Sequence, residues 1–414
     1  MNESKHSETD RIAEHLLRPV CAAVRTRARL HLLDWLGCVA GARAAQIAQL
    51  HANVEESSAI RAAVWLGNVL EMDDVHRTAI LHPGPVIWPT VLDIGADALD
   101  EALDAAIRGY EAMISIGSML DARHYAYWHN TATAGVFGAA AAAASRLGAD
   151  AAQLVSALGL AGSVTGGFWQ MRHEPVMAKQ WHLAHAMATG TAAARHARRG
   201  VTGPRFILEG PQGLFAATCE APKPLELREA WRIAEVSFKP WGACRHAHPV
   251  IDAALELKAR GALDGPVTVS TYRDALVFCD RPDPGSVIEA KFSLQHAVAI
   301  VMKRGVPRLA DFEPDAIAAL ADARKLVSIE ACDAFTAAYP AHFGARVTCG
   351  SAEVTLSDAL GDPERPLAAA GIVAKARALM EWGGISSSSA EHAVHTVFEA
   401  DRVSDITALL KSWL

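Results

Sequence analysis

Eighteen histidines stand against five tyrosines in this chain, and they cluster beside acidic or basic partners in four segments. The first is Glu71-Met-Asp-Asp-Val-His76 followed by His82-Pro-Gly84. Its carboxylates Glu71, Asp73 and Asp74 and its imidazoles His76 and His82 lie within a dozen residues. That set suits proton exchange with a substrate, and it equally suits a solvated helix end with a capping Asp. The second is Tyr127-Trp-His-Asn-Thr-Ala-Thr-Ala134, where His129 immediately precedes a long apolar run. A helix N-terminus disfavours an imidazolium and biases such a ring toward its neutral, base-competent form. A hydrogen-bonded core histidine is the plainer alternative.

The third segment, Met177-Ala-Lys-Gln-Trp-His182 with His185 beyond it, lies in an otherwise apolar helix pattern. His182 and His185 share a face at i, i+3, yet no carboxylate occupies a matching ligand position and no glutamate fills the base position of His-Glu-x-x-His. A metal pair therefore lacks its remaining parts. Lys179, set among Ala, Met and Trp, is partly dehydrated there and is a candidate base or acid; its plain alternative is a stem that snorkels to water. The fourth segment runs from Lys239-Pro-Trp-Gly-Ala-Cys to Arg245-His246-Ala-His248-Pro. Convergent cations of this kind suit a substrate with several carboxylates.

Other chemistries lack their main pieces. No Gly-x-Gly-x-x-Gly follows a strand, and neither a Walker A sequence nor a Gly-x-Ser-x-Gly elbow occurs, which removes nicotinamide, nucleotide and serine-hydrolase readings. Seven scattered cysteines without a Cys-x-x-Cys pair read as reduced core thiols rather than a disulfide or zinc framework.

The elements that must position these groups are mainly helical. Ile12, Leu16 and Leu17, then Leu30, Leu33, Leu36 and Val39, recur at three- and four-residue steps, so Asp10 to about Leu120 reads as helix. Ala132–Leu147, Ala151–Thr165 and Pro175–Arg198 continue the pattern, the last opened by proline. After Arg228 the texture is mixed. Glu235–Pro240 reads as extended and His248–Arg260 as helix. Gly265–Tyr272, Ala345–Cys349 and Ala352–Leu356 are alternating β-branched runs, the last two forming a hairpin about Gly350-Ser351. Helix returns over Ala368–Trp382 and Asp401–Leu414, while Gly383-Gly-Ile-Ser-Ser-Ser-Ser389 reads as a flexible loop. The expected architecture is thus an α domain from both chain ends interrupted by an α+β insert.

At 414 residues the chain exceeds the ~250–300 over which one core keeps growing. Apolar residues at 51% against 21% charged exclude a disordered chain. A net charge of -7 without a basic face argues against nucleic acid. The longest apolar run, Ala132–Ala144, falls short of the ~20 residues that span a bilayer. Met1–Asp10 shows neither a signal nor a transit pattern, so no membrane association and a cytoplasmic location are expected.

Seven motifs in order resemble the MmgE/PrpD family, which includes 2-methylcitrate dehydratase, cis-aconitate decarboxylase and iminodisuccinate epimerase. They are Leu32-Leu-Asp-Trp-Leu-Gly-Cys38, Asp73-Asp74 with His82-Pro-Gly84, His129-Asn-Thr-Ala-Thr-Ala-Gly135, Lys179-Gln-Trp-His182, Cys244-Arg-His-Ala-His-Pro-Val-Ile-Asp252, Lys291-Phe-Ser-Leu-Gln295 and Ala374-Lys-Ala-Arg377. The resemblance covers nearly the whole chain. It implies a large helical domain (1–237 and 367–414), a smaller α+β lid (238–366), a homodimer, and an active site between the two domains that needs no metal or organic cofactor. The catalytic groups it implies match His82, His129, Lys179 and His248. Substrate contacts are expected from Glu71, Asp73, Asp74, His182, Lys239, Arg245, His246 and His296.

The chain departs from the family in three places. Relatives commonly read Asp-Phe-Asp-Asp-Thr where this chain has Glu71-Met-Asp-Asp-Val75, and Tyr where it has His296. It is also shorter between Gly41 and Ala63.

The resemblance implies removal of a proton next to a carboxylate of a small di- or tricarboxylate, then loss of water. Arg245 and Lys239 would hold carboxylates, His129 or Lys179 would take the proton, and His82 would protonate the departing hydroxyl. Epimerisation or decarboxylation of a related polycarboxylate, with His296 as an added acid, is the alternative within the same site. A dimeric carboxylate-binding protein and a metal-dependent hydrolase using Asp73, Asp74, His76 and His82 are the alternatives of other classes.

Overall fold

The structure, a computed structural model, describes residues 6–52, 58–174 and 176–414. Pro175, part of the shortened stretch after Gly41 and the first five residues lie outside them. The chain divides into two compact units. Met1–Val69, Asp73–Val236 and Ala369–Leu414 form the first, and Leu70–Met72 with Ser237–Ala368 form the second. The fold is mainly α with a small α+β part. Among the described residues no helix is long and apolar enough to cross a membrane.

The first unit is helical, its only described β pairings being isolated bridges. Three helices, Leu99–Met119, Asn130–Arg146 and Ala178–Ala197, pack together at its centre. The second of them is buried continuously from Asn130 to Ala144, because its run of Ala and Gly leaves nothing to hold neighbours away. Glycine is obligatory at two of its contacts. A Cβ on Gly138 would lie 2.7 Å from the Met113 Cβ, and one on Gly190 would lie 2.5 Å from the Ala139 Cβ, distances that packed atoms do not tolerate.

Both chain ends belong to this unit, and two of the sequence motifs meet there. Helix Ala22–Gly41 packs on helix Ala369–Trp382. Lys375 Nζ lies 2.6 Å from Asp34 Oδ1, with both side chains buried. Burial raises the Asp34 carboxyl to about 6 against the opposing pull of Lys375. Gly37 permits the approach, since a Cβ there would stand 3.0 Å from the Ala376 Cα.

The second unit holds a four-stranded sheet in the order β2-β1-β3-β4, with β1 Val267–Thr271, β2 Val327–Ala331, β3 Ala345–Cys349 and β4 Ala352–Leu356. β1 runs parallel to β2 and antiparallel to β3, with Val269 opposite both Ile329 and Val347. β3 and β4 form the hairpin, and Gly350 takes the positive φ of its turn (+59°). Helices His248–Ala259 and Leu294–Arg304 pack on the sheet. Their Ile251, Leu257, Val298 and Val301 share one core with Val267, Val347 and Val354.

Three sequence expectations are corrected. The serine-rich stretch is the start of a helix, Ser387–Glu399, with the Ser386 side chain accepting from the Ser389 backbone N–H; its serines serve as an N-cap rather than as a flexible loop. Arg232–Glu235 is a 3₁₀ turn, so the chain becomes extended only beyond it, where Phe238 N–H donates to the Gly361 carbonyl. Cys21 is exposed and Cys332 half-buried, while the other five cysteines are buried.

Candidate active site

In the first unit, the segment from Asp73 to Gly84 is folded back on itself and tied down at each turn. His76 and Leu81 form a two-way backbone pair, closed through Ile80 at a φ of +50°. A β-branched residue adopts that conformation only where its surroundings enforce it. Asn130 Nδ2 donates to the Ala79 carbonyl (2.9 Å), and His82 N–H donates to Thr131 Oγ1 (3.1 Å). The loop is thereby fastened to the first turn of the Asn130–Arg146 helix.

The carboxylates of this loop have different tasks. Asp74 accepts from Tyr110 Oη (2.7 Å), His31 Nδ1 (2.8 Å) and Gly84 N–H (2.9 Å). Burial holds His31 near 4, so it is neutral and donates that proton. Asp73 accepts from Asn68 Nδ2 at 2.7 Å, and its other oxygen lies 2.8 Å from His82 Nδ1. That second contact is short but off the line of a hydrogen bond, so it acts through charge. His76 turns away and donates from Nε2 to Glu235 (3.2 Å) while its Nδ1 accepts from Ala79 N–H. The set Asp73, Asp74, His76 and His82 therefore does not converge as a hydrolase metal site would require. Among the described residues no group of three or more His, Cys, Asp and Glu side chains could hold a metal.

His129 sits just before the first residue of the same helix, fully enclosed, with its backbone N–H on the Gly167 carbonyl (2.8 Å). Its Nδ1 lies 3.2 Å from His182 Nδ1, and its ring rests on Trp169 with centroids 4.5 Å apart. Burial pushes the His129 ring well below its ordinary range, and His182, Lys179, His82 and Arg172 push it further the same way. His182 is itself lowered, first by burial and then by His185. The pair thus shares one proton between two neutral rings, which makes a base ready to accept another. Lys179, half-buried in the first turn of the Ala178–Ala197 helix, supplies positive charge beside it.

Sequence reasoning missed three participants here. The Arg172 guanidinium stacks 3.6 Å over Trp169 and 4.9 Å from the Tyr125 ring, bringing a further cation to His129. Gly167 has a φ of +110°, and a Cβ on it would come within 2.5 Å of the Ala132 Cβ and 3.4 Å of His182 Nδ1. The only sequence signal for these is the Gly166-Gly167 pair followed by two aromatics and Arg172. Asn68, which positions Asp73, carries none.

The remaining sequence candidates are in the second unit. Glu71, at a φ of +57°, lies 3.8 Å from the fully buried Lys239 Nζ. Arg245 pairs through Nη2 with Asp362, while its Nη1 is buried without a partner. The Tyr272 hydroxyl, which burial keeps protonated, donates to His246 Nδ1 at 2.6 Å. His248 Nε2 donates to the Ala243 carbonyl (3.1 Å) and His296 Nε2 to the Asp311 carbonyl (2.9 Å). Burial brings His296 to about 4.

The MmgE/PrpD N-terminal domain family matches residues 9–226, and the MmgE/PrpD C-terminal domain family matches residues 241–400. The chain belongs to the MmgE/PrpD family. This is a family of dehydratase-, decarboxylase- and epimerase-type enzymes. Among individually curated proteins none matches the chain.

Proposed function

We propose that this MmgE/PrpD protein is a cofactor-independent lyase acting on a small di- or tricarboxylate, in the manner of 2-methylcitrate dehydratase. The observation that carries this reading is the buried, neutral His129–His182 pair with Lys179 and Arg172 as adjacent cations. In the reaction the neutral imidazole removes a proton from the carbon next to a carboxylate. The electron pair left behind forms the carbon–carbon double bond as the carbon–oxygen bond of the β-hydroxyl breaks, and His82, beside Asp73, protonates the departing hydroxide to water. Negative charge that builds on the substrate carboxylate is countered by cations fixed in advance in a water-poor setting. Arg172 adds to the carboxylate-binding side chains read from sequence, Lys239 and Arg245, the latter with its unpaired Nη1. Glu71, Asp74, His246 and His296 remain within the proposal as groups that hold or contact substrate, and His248 as a catalytic group.

Epimerisation is the second reading, favoured by two imidazole centres of unlike character. His129 is held neutral by its surroundings, whereas His82 stands beside a carboxylate, an arrangement that gives one proton acceptor and one donor. Decarboxylation would use the same donor to deliver a proton to carbon. A homodimer in the cytoplasm completes the proposal.

Proton NMR in D₂O on the chelator-treated protein, with 2-methylcitrate, citrate, cis-aconitate and iminodisuccinate, tests it. Exchange at carbon with loss of water supports the lyase. Inversion or release of CO₂ transfers the assignment to the second reading, and silence across the panel sinks both in favour of a carboxylate-binding role.

A further inference from the structure

We infer that the first unit carries a second binding site, for an organic anion with a flat apolar body and a carboxylate head, on the side of the Ala178–Ala197 helix that faces helix Ala59–Leu66. A cavity of about 630 Å³ lies there, within the size range of small-molecule sites. Its lining includes none of His82, His129, Lys179, His182 and Arg172, and the inference does not depend on the lyase reading.

Three independent features of this cavity point to such a ligand. Trp65 and Trp181 face one another at 5.8 Å between centroids and 50° between planes. Trp181 is 59% exposed, and an indole left so open offers an apolar wall with little ordering cost. The second feature is charge. Arg61, Arg195 and Arg199 line the cavity and make no side-chain hydrogen bond or close ion pair among the described residues, against the single carboxylate of Asp93. Guanidinium groups of this kind match a carboxylate in shape and charge. The third is Thr191, a lining residue only 6% exposed, whose buried hydroxyl has no partner. A helical threonine usually satisfies itself on the carbonyl four residues back; here that bond is not made, and a ligand acceptor reaching this part of the wall would satisfy the hydroxyl.

Stacking walls and a cationic head together select an amphipathic anion. A bare phosphate would leave the indoles unused, and a neutral aromatic would leave the guanidinium groups unused.

Isothermal titration of the full-length protein with 1-naphthoate at low salt tests the assignment. One saturable site per chain is expected, with 1-naphthalenemethanol and inorganic phosphate binding at least about tenfold more weakly. Arg195→Gln and Trp181→Ala should each weaken naphthoate about tenfold, and Thr191→Val should weaken it less. Lys179→Ala should leave it unchanged, which separates this site from the candidate active site. Absence of saturable binding, indifference to Arg195→Gln, or loss in Lys179→Ala would overturn the inference. So would dissociation of an oligomer by Trp181→Glu in sedimentation, which would make this face an interface between copies of the chain.

Discussion

His129 and His182, 53 residues apart in sequence, bring their Nδ1 atoms to 3.2 Å. One of the two must donate and the other accept, so the two rings cannot both be charged while the contact lasts. The arrangement ties the basicity of His129 to its partner as well as to burial, and the two contributions are separable by experiment.

In His182→Asn the neighbouring imidazole that opposes charge on His129 is removed, and the acid limb of the kcat/KM profile should move upward toward the ordinary histidine range. Burial, the larger cause, remains, so the limb should stay below 6.5. A limb that does not move would show that another group titrates.

Replacing His129 or Lys179 by Ala should lower turnover by about 10²–10⁴-fold, the usual worth of a positioned acid or base. Thermal unfolding midpoints close to that of the parent protein are expected for Lys179→Ala, since that side chain is half-buried. Near-normal turnover in both variants would remove these residues from the mechanism.

Gly167→Ala places a methyl group at a φ of +110° and 2.5 Å from the Ala132 Cβ. The strain is on the order of 1–3 kcal/mol, and its relief requires the 167–169 backbone to shift under the His129 ring. Turnover should fall at least about tenfold with a modest drop in stability, read by urea titration; full activity would contradict the packing described.

Stability should decline between pH 6.5 and 4. His31, His124 and His296 are all held near 4, each first by burial, while their unfolded counterparts titrate near 6.5. Below 6.5 the unfolded chain gains protons that the folded chain refuses, so their stabilising share is present above that pH and is lost as pH falls toward 4. The slope is at most about 1.4 kcal/mol per pH unit for each group. Glu235, lowered to about 2 with His76 and Arg232 assisting, adds a separate loss between about 4.5 and 2. Urea midpoints at pH 7, 6 and 5 check the first window, and His124→Asn should flatten it.

Removing one member of the Asp34–Lys375 pair is expected to cost about 3–5 kcal/mol, because a buried charge is left alone. Lys375→Met should therefore be severe, and adding Asp34→Leu should recover most of the loss. A double variant as unstable as the single one would argue that packing rather than charge is at stake.

Much of the fold was legible because burial leaves a period in the sequence. β1, β3 and β4 fall within alternating β-branched runs, and the helices of the first unit within three- and four-residue apolar steps. β2 escaped notice because its residues have only Val327 buried among Ser328, Ile329, Glu330 and Ala331; a sheet edge shows water most of its side chains. In the candidate site, the position of His129 before an apolar run could be read directly. Its meeting with His182 could not, since it depends on the glycines that let two distant helices touch. Asp73 and His82 come together through a positive φ at Ile80, and nothing in an isoleucine announces that turn.

The Asp34–Lys375 pair also constrains the order of events during synthesis. Lys375 is made 341 residues after Asp34, and only after every residue from Ser237 to Ala368. All the residues of the second unit are thus made while helix Ala22–Gly41 still lacks its buried counter-charge and the helix that covers it. Until then its face toward that helix stays uncovered, and a chain shortened before Lys375 would hold every residue of the insert while leaving Asp34 buried without its cation.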